Sequence, residues 1–492
     1  MAGETNAKEL LDARLRPERT TQRLRRALLA RLSELRREGH AGPALAEHLL
    51  PGVVLEPETV DVLVSGLLAG GHTLILGPSG TGKTLLAKAI WDLMPRDVLA
   101  VADCPVQDDP FSLIDAQFGR RVPPCPFCKA NHGGVGLQGL GEFDPAKVDP
   151  ASVPVRRLRL REGHGFARVQ GSAEVFPDNL TGSINLARLE QVGDPTSPLV
   201  LEPGKALQAH RGLLFVDEVG KLPRGTQNVL LQALQEGLVT PAKSRETFPA
   251  DLVAVTTTNV RDLATVTEPL SDRLAHVVLP VPRTHRSNRR IVDLAMAGDA
   301  FGPPVAGPYR DAAVELMMRW RAKGPGTDDL AEVSSNRTLV ETLRRAAGYA
   351  LLDGDAAIDP QDFRRGARDA MRGRVRGRSP EEFERNQKVV ADFVEAAWVD
   401  AAKQGAAAYW CRFFIAELKE DKAEALRVLE AVRAAVAGGP QSLAAASRQG
   451  GDARVRRFAQ FVQAAEGIQR DETVAHLPAV LQALDDLGAF KA

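Results

Sequence analysis

One short stretch of the chain has the residue types and spacing that hold phosphate groups. Residues 77–84 read GPSGTGKT, directly after the apolar run HTLIL and directly before LLAKAIWDL. Glycines let successive backbone N–H groups turn toward anionic oxygens, and the amino end of the following helix adds its dipole there. The spacing G-x-x-x-x-G-K-[ST] therefore predicts a triphosphate-binding loop, formed by Gly77, Pro78, Ser79, Gly80, Thr81, Gly82, Lys83 and Thr84.

Two side chains of the loop and two carboxylates further along the chain have distinct predicted roles. Lys83 is expected to reach the β- and γ-phosphates, and the Thr84 hydroxyl to ligate Mg²⁺. The run GLLFVDEV is an apolar strand that ends in Asp217 and Glu218. We expect Asp217 to hold the Mg²⁺ shell beside the loop, and Glu218 to orient and deprotonate the attacking water.

Two further polar residues follow in chain order. Asn259 ends the run VAVTTTN, where its amide could position the lytic water or simply belong to a turn. Arg273 lies in EPLSDRLAHVVL, just before the next strand-like run. Its permanent charge suits a transferred phosphoryl group, more plausibly that of a neighbouring subunit, and a local contact with Asp272 is the alternative.

Length and composition indicate which broad class of protein the chain belongs to. A chain of 492 residues is too long for one ordinary core, so we expect two to four domains. The 63 basic and 63 acidic residues balance, which predicts neither a nucleic-acid binder nor a membrane-surface binder. The charged amino-terminal residues predict no secretory signal, and the most apolar long window is too interrupted to span a bilayer. Four cysteines indicate a reducing, cytoplasmic location.

The order of apolar runs predicts an α/β fold between about residues 50 and 285. HTLIL, VLAVA, GLLFVDE, DLVAVTTTN and HVVLPV alternate with helical stretches, as in a parallel sheet covered by helices. The gap between the second and third runs is long for a compact core, so residues 104–170 are interpreted as inserted structure. Helical periodicity before and after this region predicts extra all-α parts at both ends.

The ordered set of motifs resembles the AAA+ ATPases of the helix-2-insert clade. Residues 50–375, with VFPDNLTGSINLARLEQ and LSDRL, resemble the magnesium-chelatase ATPase subunit and its MoxR-type and MCM-type relatives. The resemblance implies a P-loop core with a five-stranded parallel sheet, helices on both faces and a helical lid. It also implies family roles for the motif residues: Walker A for Lys83 and Thr84, Walker B for Asp217 and Glu218, sensor 1 for Asn259, the arginine finger for Arg273, and sensor 2 for Arg337.

The resemblance also implies how the chain is divided. We expect a helical arm at 1–50, the nucleotide-binding domain at 51–285, a lid at 286–378 and a helical domain at 379–492. Residues 183–211 correspond to the helix-2 insert of the clade, and VTPAKSRETFPADL corresponds to its pre-sensor hairpin. Chelatase subunits are shorter and lack a region like 380–492, so metal insertion does not follow from the resemblance.

The function implied is that of an Mg-dependent ATPase motor. Such proteins form rings, usually hexamers, with ATP between subunits, and act on a protein client, in this clade often one with a von Willebrand-type metal-binding domain. The alternatives are an MCM-like nucleic-acid translocase, the ATPase subunit of a metal-chelatase complex, and a module that holds ATP without turnover. Glu218 argues against the last of these, because losing that carboxylate is the simplest route to such a module.

A cysteine-containing segment has a second, separate chemistry. The spacing C-x20-C-x2-C-x3-H is formed by Cys104, Cys125, Cys128 and His132. These residues could close a structural tetrahedral Zn²⁺ site. The interpretation favoured here is that Cys125 and Cys128 are two thiols in a proline-rich loop of the insertion and bind no metal. A redox pair is a further alternative.

A basic run, RRLRLRE, follows the proline-rich part of the insertion. Its alternation could place Arg157, Arg159 and Arg161 on one strand face. Contact with nucleic acid is one interpretation. A charged strand face in solvent, or one paired with acidic groups, is the commoner arrangement and is favoured here.

Overall fold

The computed structural model describes residues 5–417, except 137–141, 242–243, 298–302, 304, 306, 324–329, 331–332 and 356, and beyond 417 residue 445 alone. Of residues 43, 307–308, 323 and 399–417 only the backbone is described. The chain divides into two compact units, Met1–Pro280 and Val281–Ala492. Most of the predicted helical domain at 379–492 lies outside the described residues, and its boundary stays a prediction.

Thirteen strands are present in the described residues. In chain order they are β1 Thr5–Asn6, β2 His72–Leu76, β3 Asp97–Val101, β4 Pro154–Arg159, β5 Arg161–Glu162, β6 Gly165–Gln170, β7 Gly182–Ile184, β8 Leu201–Pro203, β9 Leu213–Asp217, β10 Leu238–Val239, β11 Phe248–Pro249, β12 Val253–Thr258 and β13 Leu274–Val278. All of them lie in the first unit, so the second unit is helical wherever the structure describes it.

Helices of the first unit surround these strands. They are α1 Ala7–Asp12, α2 Thr20–Arg37, α3 Gly42–Leu49, α4 Pro57–Leu68, α5 Lys83–Leu93, α6 Phe111–Ile114, α7 Ala116–Arg121, α8 Pro126–Gly133, α9 Pro177–Thr181, α10 Leu186–Val192, α11 Lys205–Gln208, α12 Arg224–Glu236 and α13 Glu268–Ser271. The second unit contains α14 His285–Met296, α15 Gly307–Lys323, α16 Asn336–Asp353, α17 Pro360–Arg372 and α18 Pro380–Glu417.

The main sheet has six strands in the order β13-β2-β12-β9-β6-β5. All neighbouring pairs are parallel, including the two-residue strand β5 that extends the edge beside β6. The predicted α/β fold with a parallel sheet is therefore confirmed, with one short strand more than expected. Successive residues of the central strands face two separate apolar cores, which places packed layers on both faces of the sheet.

One predicted strand of the parallel sheet was assigned wrongly. The run at 97–101, here β3, pairs antiparallel with β4 in a separate three-stranded sheet that β1 completes. The strand that pairs with β9 is instead β6, residues 165–170. This strand lies within residues 104–170, which were interpreted as inserted structure. Local composition is equally β-prone in both runs, and it does not specify the pairing partner.

The structure does not place Arg157, Arg159 and Arg161 on one strand face, as their alternation had suggested. Arg157 and Arg159 lie on β4 and are exposed, but Arg161 belongs to β5 of the main sheet. The buried side chain of Leu160 separates the two strands. The three arginines therefore do not line one strand face.

The amino-terminal helices pack onto the first unit. Four leucines of α2, Leu24, Leu28, Leu32 and Leu35, are buried in the core that contains Phe215. These leucines form the apolar face of the helix. Thr20 does not cap the helix with its own side chain: its backbone N–H and its hydroxyl both donate to the Asp251 carboxylate at 2.8 Å.

Polar side chains bond to the first turns of two helices in the second unit. Asp359 accepts from the Asp362 backbone N–H at 2.7 Å, and Pro360 is the first residue of α17. Ser379 accepts from the Glu382 N–H at 3.2 Å, where α18 begins. No helix in the described part of the chain combines the length and apolar character that crossing a membrane requires.

A buried histidine next to β9 generates a prediction about acid stability. His210 lies wholly inside the first unit, and its Nδ1 accepts from the Asp251 backbone N–H at 3.1 Å. Burial and the nearby Arg211 charge lower the pKa of His210 from 6.5 to about 4. The unfolded chain therefore binds a proton between these values that the folded chain does not.

We expect folding stability to fall as pH drops from 6.5 toward 4, with His210 contributing about 3 kcal/mol of that loss. Urea unfolding measured across this range checks the effect. His210→Asn, which keeps an acceptor for the Asp251 N–H but does not titrate, should lose correspondingly less stability. An identical pH dependence in both proteins would contradict the assignment.

Candidate functional site

The phosphate loop lies between β2 and α5 of the main sheet. β2 is almost entirely buried, and α5 begins at Lys83 directly after the loop. Gly80 and Gly82 adopt φ values of 79° and 91°, a region that favours glycine and directs backbone N–H groups into the turn. A Cβ on Gly77 would approach the Leu279 carbonyl oxygen to 2.4 Å, so a side chain there has no room.

Lys83 joins the loop to the neighbouring strand. Its Nζ donates to the carbonyl oxygens of Gly77 at 2.7 Å and Pro78 at 2.8 Å. It also donates to Oδ1 of Asn259 at 3.0 Å, at the carboxyl end of β12. The ammonium group and the predicted sensor amide are therefore in direct contact at the mouth of the loop.

Asp217 ends β9 and is the most connected carboxylate of the site. Its Oδ1 accepts from the Thr257 hydroxyl at 2.6 Å, and its Oδ2 accepts from Arg168 at 2.8 Å. The same Oδ2 lies 3.4 Å from the Thr84 hydroxyl. Thr84 and Asp217 thus present oxygen atoms to one point, and oxygen is the donor that Mg²⁺ prefers.

Glu218 follows immediately in a strained turn. Its φ is 55°, which is uncommon for a residue with a side chain and which clusters at functional sites. Its Oε2 accepts from the Gln170 amide at 3.0 Å and lies 2.9 Å from the Lys221 ammonium. The carboxylate is half-buried and held at the same sheet edge as Asp217.

One predicted residue, Arg273, is not part of this group, and another, Arg337, belongs to the second unit. Arg273 is exposed at the start of β13, and its Nη1 contacts the Pro269 carbonyl oxygen at 3.4 Å. Arg337 is exposed in the first turn of α16, in the second unit. Their predicted roles as arginine finger and sensor 2 stay predictions.

The cysteine segment forms a separate group in the insertion. Cys104, Cys125 and Cys128 lie together and are buried. His132 lies outside that group, with its Nε2 3.1 Å from Oδ1 of Asp103. A carboxylate that the spacing did not indicate, Asp108, takes the fourth position.

Sequence reasoning missed four residues that contact the two carboxylates. Arg168 and Gln170 lie on β6, Thr257 lies on β12, and Lys221 follows Glu218 by three residues. The signal for Thr257 was its position two residues before Asn259, because alternate residues of a strand point the same way. Arg168 and Gln170 gave no usable signal, since β6 was not identified as a core strand.

The residues present fit a triphosphate with its magnesium ion. The loop has glycines where the backbone turns inward, and a lysine at the amino end of a helix. Beside it, a hydroxyl and a carboxylate offer hard oxygen donors to one point.

Comparison with known proteins gives the same assignment. The family described as the Sigma-54 interaction domain matches residues 198–274, which contain Asp217, Glu218, Asn259 and Arg273. The magnesium-chelatase 38 kDa subunit of Acidiphilium rubrum is 27% identical over 345 residues, covering 65% of this chain and 86% of the subunit. The chain is an AAA+ ATPase that resembles the ATPase subunit of magnesium chelatase.

Another relative is matched over a smaller part of its own length. The archaeal Lon protease of Methanothermobacter thermautotrophicus is 23% identical over 367 residues, and the match spans 63% of this AAA+ ATPase and 55% of the protease. A structure of the complex between subunits BchI and BchD of magnesium chelatase is 22% identical, covering 66% of this chain and 94% of that chain, with a TM-score of 0.32.

The Thr257 hydroxyl generates a prediction about catalysis by this AAA+ ATPase. It donates to Asp217 and accepts the Glu218 backbone N–H at 2.9 Å, so it positions both carboxylates. We expect Thr257→Val, which has nearly the same shape, to lower kcat about tenfold or more and to raise the magnesium concentration needed for half-maximal rate.

Thr257→Ser is the matched control, because it keeps the hydroxyl and should stay close to the wild-type rate. ATPase rates measured across a magnesium titration check both variants. An unchanged magnesium dependence in Thr257→Val would show that the hydroxyl serves packing alone.

Proposed function

We propose that this AAA+ ATPase is a motor subunit that assembles into a ring and uses ATP hydrolysis to remodel a protein partner. The observation that supports the ring best is the separation of Arg273 from the phosphate loop. β13 pairs with β2 so that Leu274 lies opposite His72, whereas the loop begins after Leu76. Arg273 and Gly77 are therefore at opposite ends of the strands, about 20 Å apart at 3.3 Å per residue.

That distance favours action between subunits. An arginine side chain is too short to bring its guanidinium from the start of β13 to its own phosphate loop. Arg273 is nevertheless exposed, and its charge lies beside no carboxylate among the described residues. In a ring, the same arginine reaches the nucleotide of the adjacent subunit and neutralises charge that develops there.

The residues at the sheet edge divide the chemical work. ATP with its magnesium ion supplies a terminal phosphoryl group, which passes to water and yields ADP and phosphate. Lys83 holds the phosphates, and Thr84 with Asp217 holds the metal by oxygen atoms. Asn259 positions the attacking water, and Glu218 accepts a proton from it. Before that step, Glu218 leaves its contacts with Gln170 and Lys221.

The segment after β6 links Glu218 to the predicted insert. Gly171 donates its N–H to the Asp217 carbonyl oxygen at 2.7 Å, and a Cβ on Gly171 would lie 2.1 Å from the Glu218 carbonyl oxygen. From Gly171 the chain runs through α9 into the β7–β8 hairpin, which encloses α10. A change in the Glu218 turn on hydrolysis therefore moves the backbone that leads to the insert.

The insert presents apolar side chains to solvent. Leu186 is 72% exposed, and Phe176, just before α9, is 62% exposed. Val192 and Leu199 add to this surface. Several large exposed apolar side chains in one segment are typical of a protein-binding surface. We assign the client to this surface, and a partner with a von Willebrand-type domain is one class that fits the resemblance to chelatase subunits.

Glu218→Gln tests the hydrolytic role. The amide keeps the shape but accepts no proton, so we expect kcat to fall about 10²- to 10⁴-fold with little change in ATP affinity. Phosphate release and nucleotide binding check this, with Glu236→Gln on α12 as an exposed control. Normal turnover would exclude Glu218 from the proposed role as the base that accepts a proton from water.

The translocase alternative has its own test. If single-stranded DNA stimulated the wild-type ATPase rate, and if this stimulation fell steeply as salt was added, the result would favour a nucleic-acid translocase.

Arg273→Ala tests whether the site is shared between subunits. We expect a loss of about 10³-fold or more in ATPase rate while ATP still binds. Lys83→Ala should lose ATP binding itself. Mixing the two inactive proteins should restore part of the activity, because some interfaces then combine an intact loop with an intact Arg273. The exposed Arg36→Ala on α2 is the control. No recovery, with both variants still assembling, would contradict a shared site.

A further inference from the structure

A group of three thiols and one carboxylate lies in the insertion, apart from the nucleotide site. The ligand atoms of Cys104, Asp108, Cys125 and Cys128 all lie within 4.8 Å of one another. Each of the four residues is at most 3% exposed. Cys104 Sγ and Cys125 Sγ are 3.6 Å apart. Zn–S bonds of about 2.3 Å in a tetrahedron put two sulfurs about 3.8 Å apart, so this spacing suits a shared Zn²⁺.

Two Cys-Pro turns build the group. After β3, the chain passes Cys104 and turns back at Gln107, whose φ of 63° is left-handed. This turn returns Asp108 to the thiol, and the Asp108 N–H donates to Cys104 Sγ at 3.3 Å. In the second turn, Cys125 precedes α8 and Cys128 lies in its first turn. Two separate segments thus each contribute two ligands.

One oxygen of the Asp108 carboxylate is unsatisfied within the described part of the chain. Asp108 Oδ2 accepts the Cys125 N–H at 2.6 Å, whereas its Oδ1 is buried without a hydrogen-bond partner in the described structure. The adjacent Asp109 is also buried, but it lies 2.6 Å from the Arg211 guanidinium. Burying an unpaired carboxylate is costly, and a metal ion among the three sulfurs would remove that cost.

A disulfide explains the group less well. Joining Cys104 to Cys125 would leave the Cys128 thiol without a sulfur partner and Oδ1 of Asp108 still unsatisfied. Burial of all three thiols also argues against a redox sensor, which needs solvent access. His132 is not a competing ligand in this arrangement, because its ring lies beside Asp103.

We propose that Cys104, Asp108, Cys125 and Cys128 bind one Zn²⁺ in a closed tetrahedral site. Four protein ligands leave no position for water or substrate, so the role is structural. The metal ties the loop after β3 to α8 and thereby fixes the insertion against the core that all three cysteines share. The site is independent of the proposed motor function, and its test does not rely on ATPase activity.

The first measurement is the metal content of the full chain, purified without chelators from zinc-supplemented cells. We expect about one zinc per chain. Asp108→Asn, which keeps the shape but removes the anionic ligand, and Cys128→Ser should lower zinc affinity at least tenfold in competition with a chelator of known affinity. His132→Ala is the control and should retain zinc with wild-type affinity.

A second measurement remains decisive if the ligand variants do not fold. Cobalt exchanged into the wild-type chain should give the absorption of a tetrahedral ion, with strong thiolate charge-transfer bands. Removing zinc with a chelator should lower the Tm of the wild-type chain, and adding zinc back should restore it.

Several results would overturn the proposal. One is a folded, metal-free chain in which all four thiols, including Cys411, titrate as reduced after denaturation. Another is a mass lower by two hydrogens, which would indicate a disulfide. Loss of zinc in His132→Ala with retention in Asp108→Asn would overturn the ligand set. Iron bound in place of zinc would overturn the identity of the metal.

Discussion

The parallel register of three neighbouring strands is the constraint on which the nucleotide site depends. Thr258 on β12 lies opposite Leu76 on β2, so the residues that follow both strands meet at one edge of the sheet. The Gly77 N–H donates to the Thr258 carbonyl oxygen, and the Thr257 hydroxyl donates to Asp217. A slip of one residue would reverse the faces of the side chains and break both contacts. Register, more than any single side chain, therefore brings distant motifs together.

The same edge is held under local strain. Glu218 adopts a left-handed conformation directly after β9, and Gly171, which directly follows the neighbouring strand β6, has no space for a side chain against it. Strain of this kind persists only where the surroundings fix it, and here the Thr257 hydroxyl binds the Glu218 N–H. The turn and the segment leaving β6 are thus packed too closely to move independently. This close packing gives the site a physical connection to the exposed insert.

Motif residues could be predicted from sequence because their chemistry is local. The glycine spacing of the loop, Lys83, and two carboxylates after an apolar run each follow from a short stretch of chain. Arg168 and Gln170 could not be predicted, because they become neighbours of Asp217 and Glu218 only once β6 pairs with β9. Residues 97–101 had the same β-prone composition and were assigned to the main sheet instead. Strand pairing depends on packing between distant segments, which composition does not record.

In the cysteine segment, too, one neighbour could not be predicted from the sequence, because the fold of the chain brings it into place. The spacing C-x20-C-x2-C-x3-H made His132 a candidate fourth ligand beside the three cysteines. Asp108 gave no such signal, because only the left-handed turn at Gln107 brings it back to Cys104. The two candidate ligands differ in how their polar atoms are satisfied. His132 already has a carboxylate neighbour, Asp103. Asp108 is buried among thiols, and one of its carboxylate oxygens has no hydrogen-bond partner in the described structure. An unpaired buried carboxylate is therefore stronger evidence for a metal ligand than sequence spacing, and it is visible only in the folded chain.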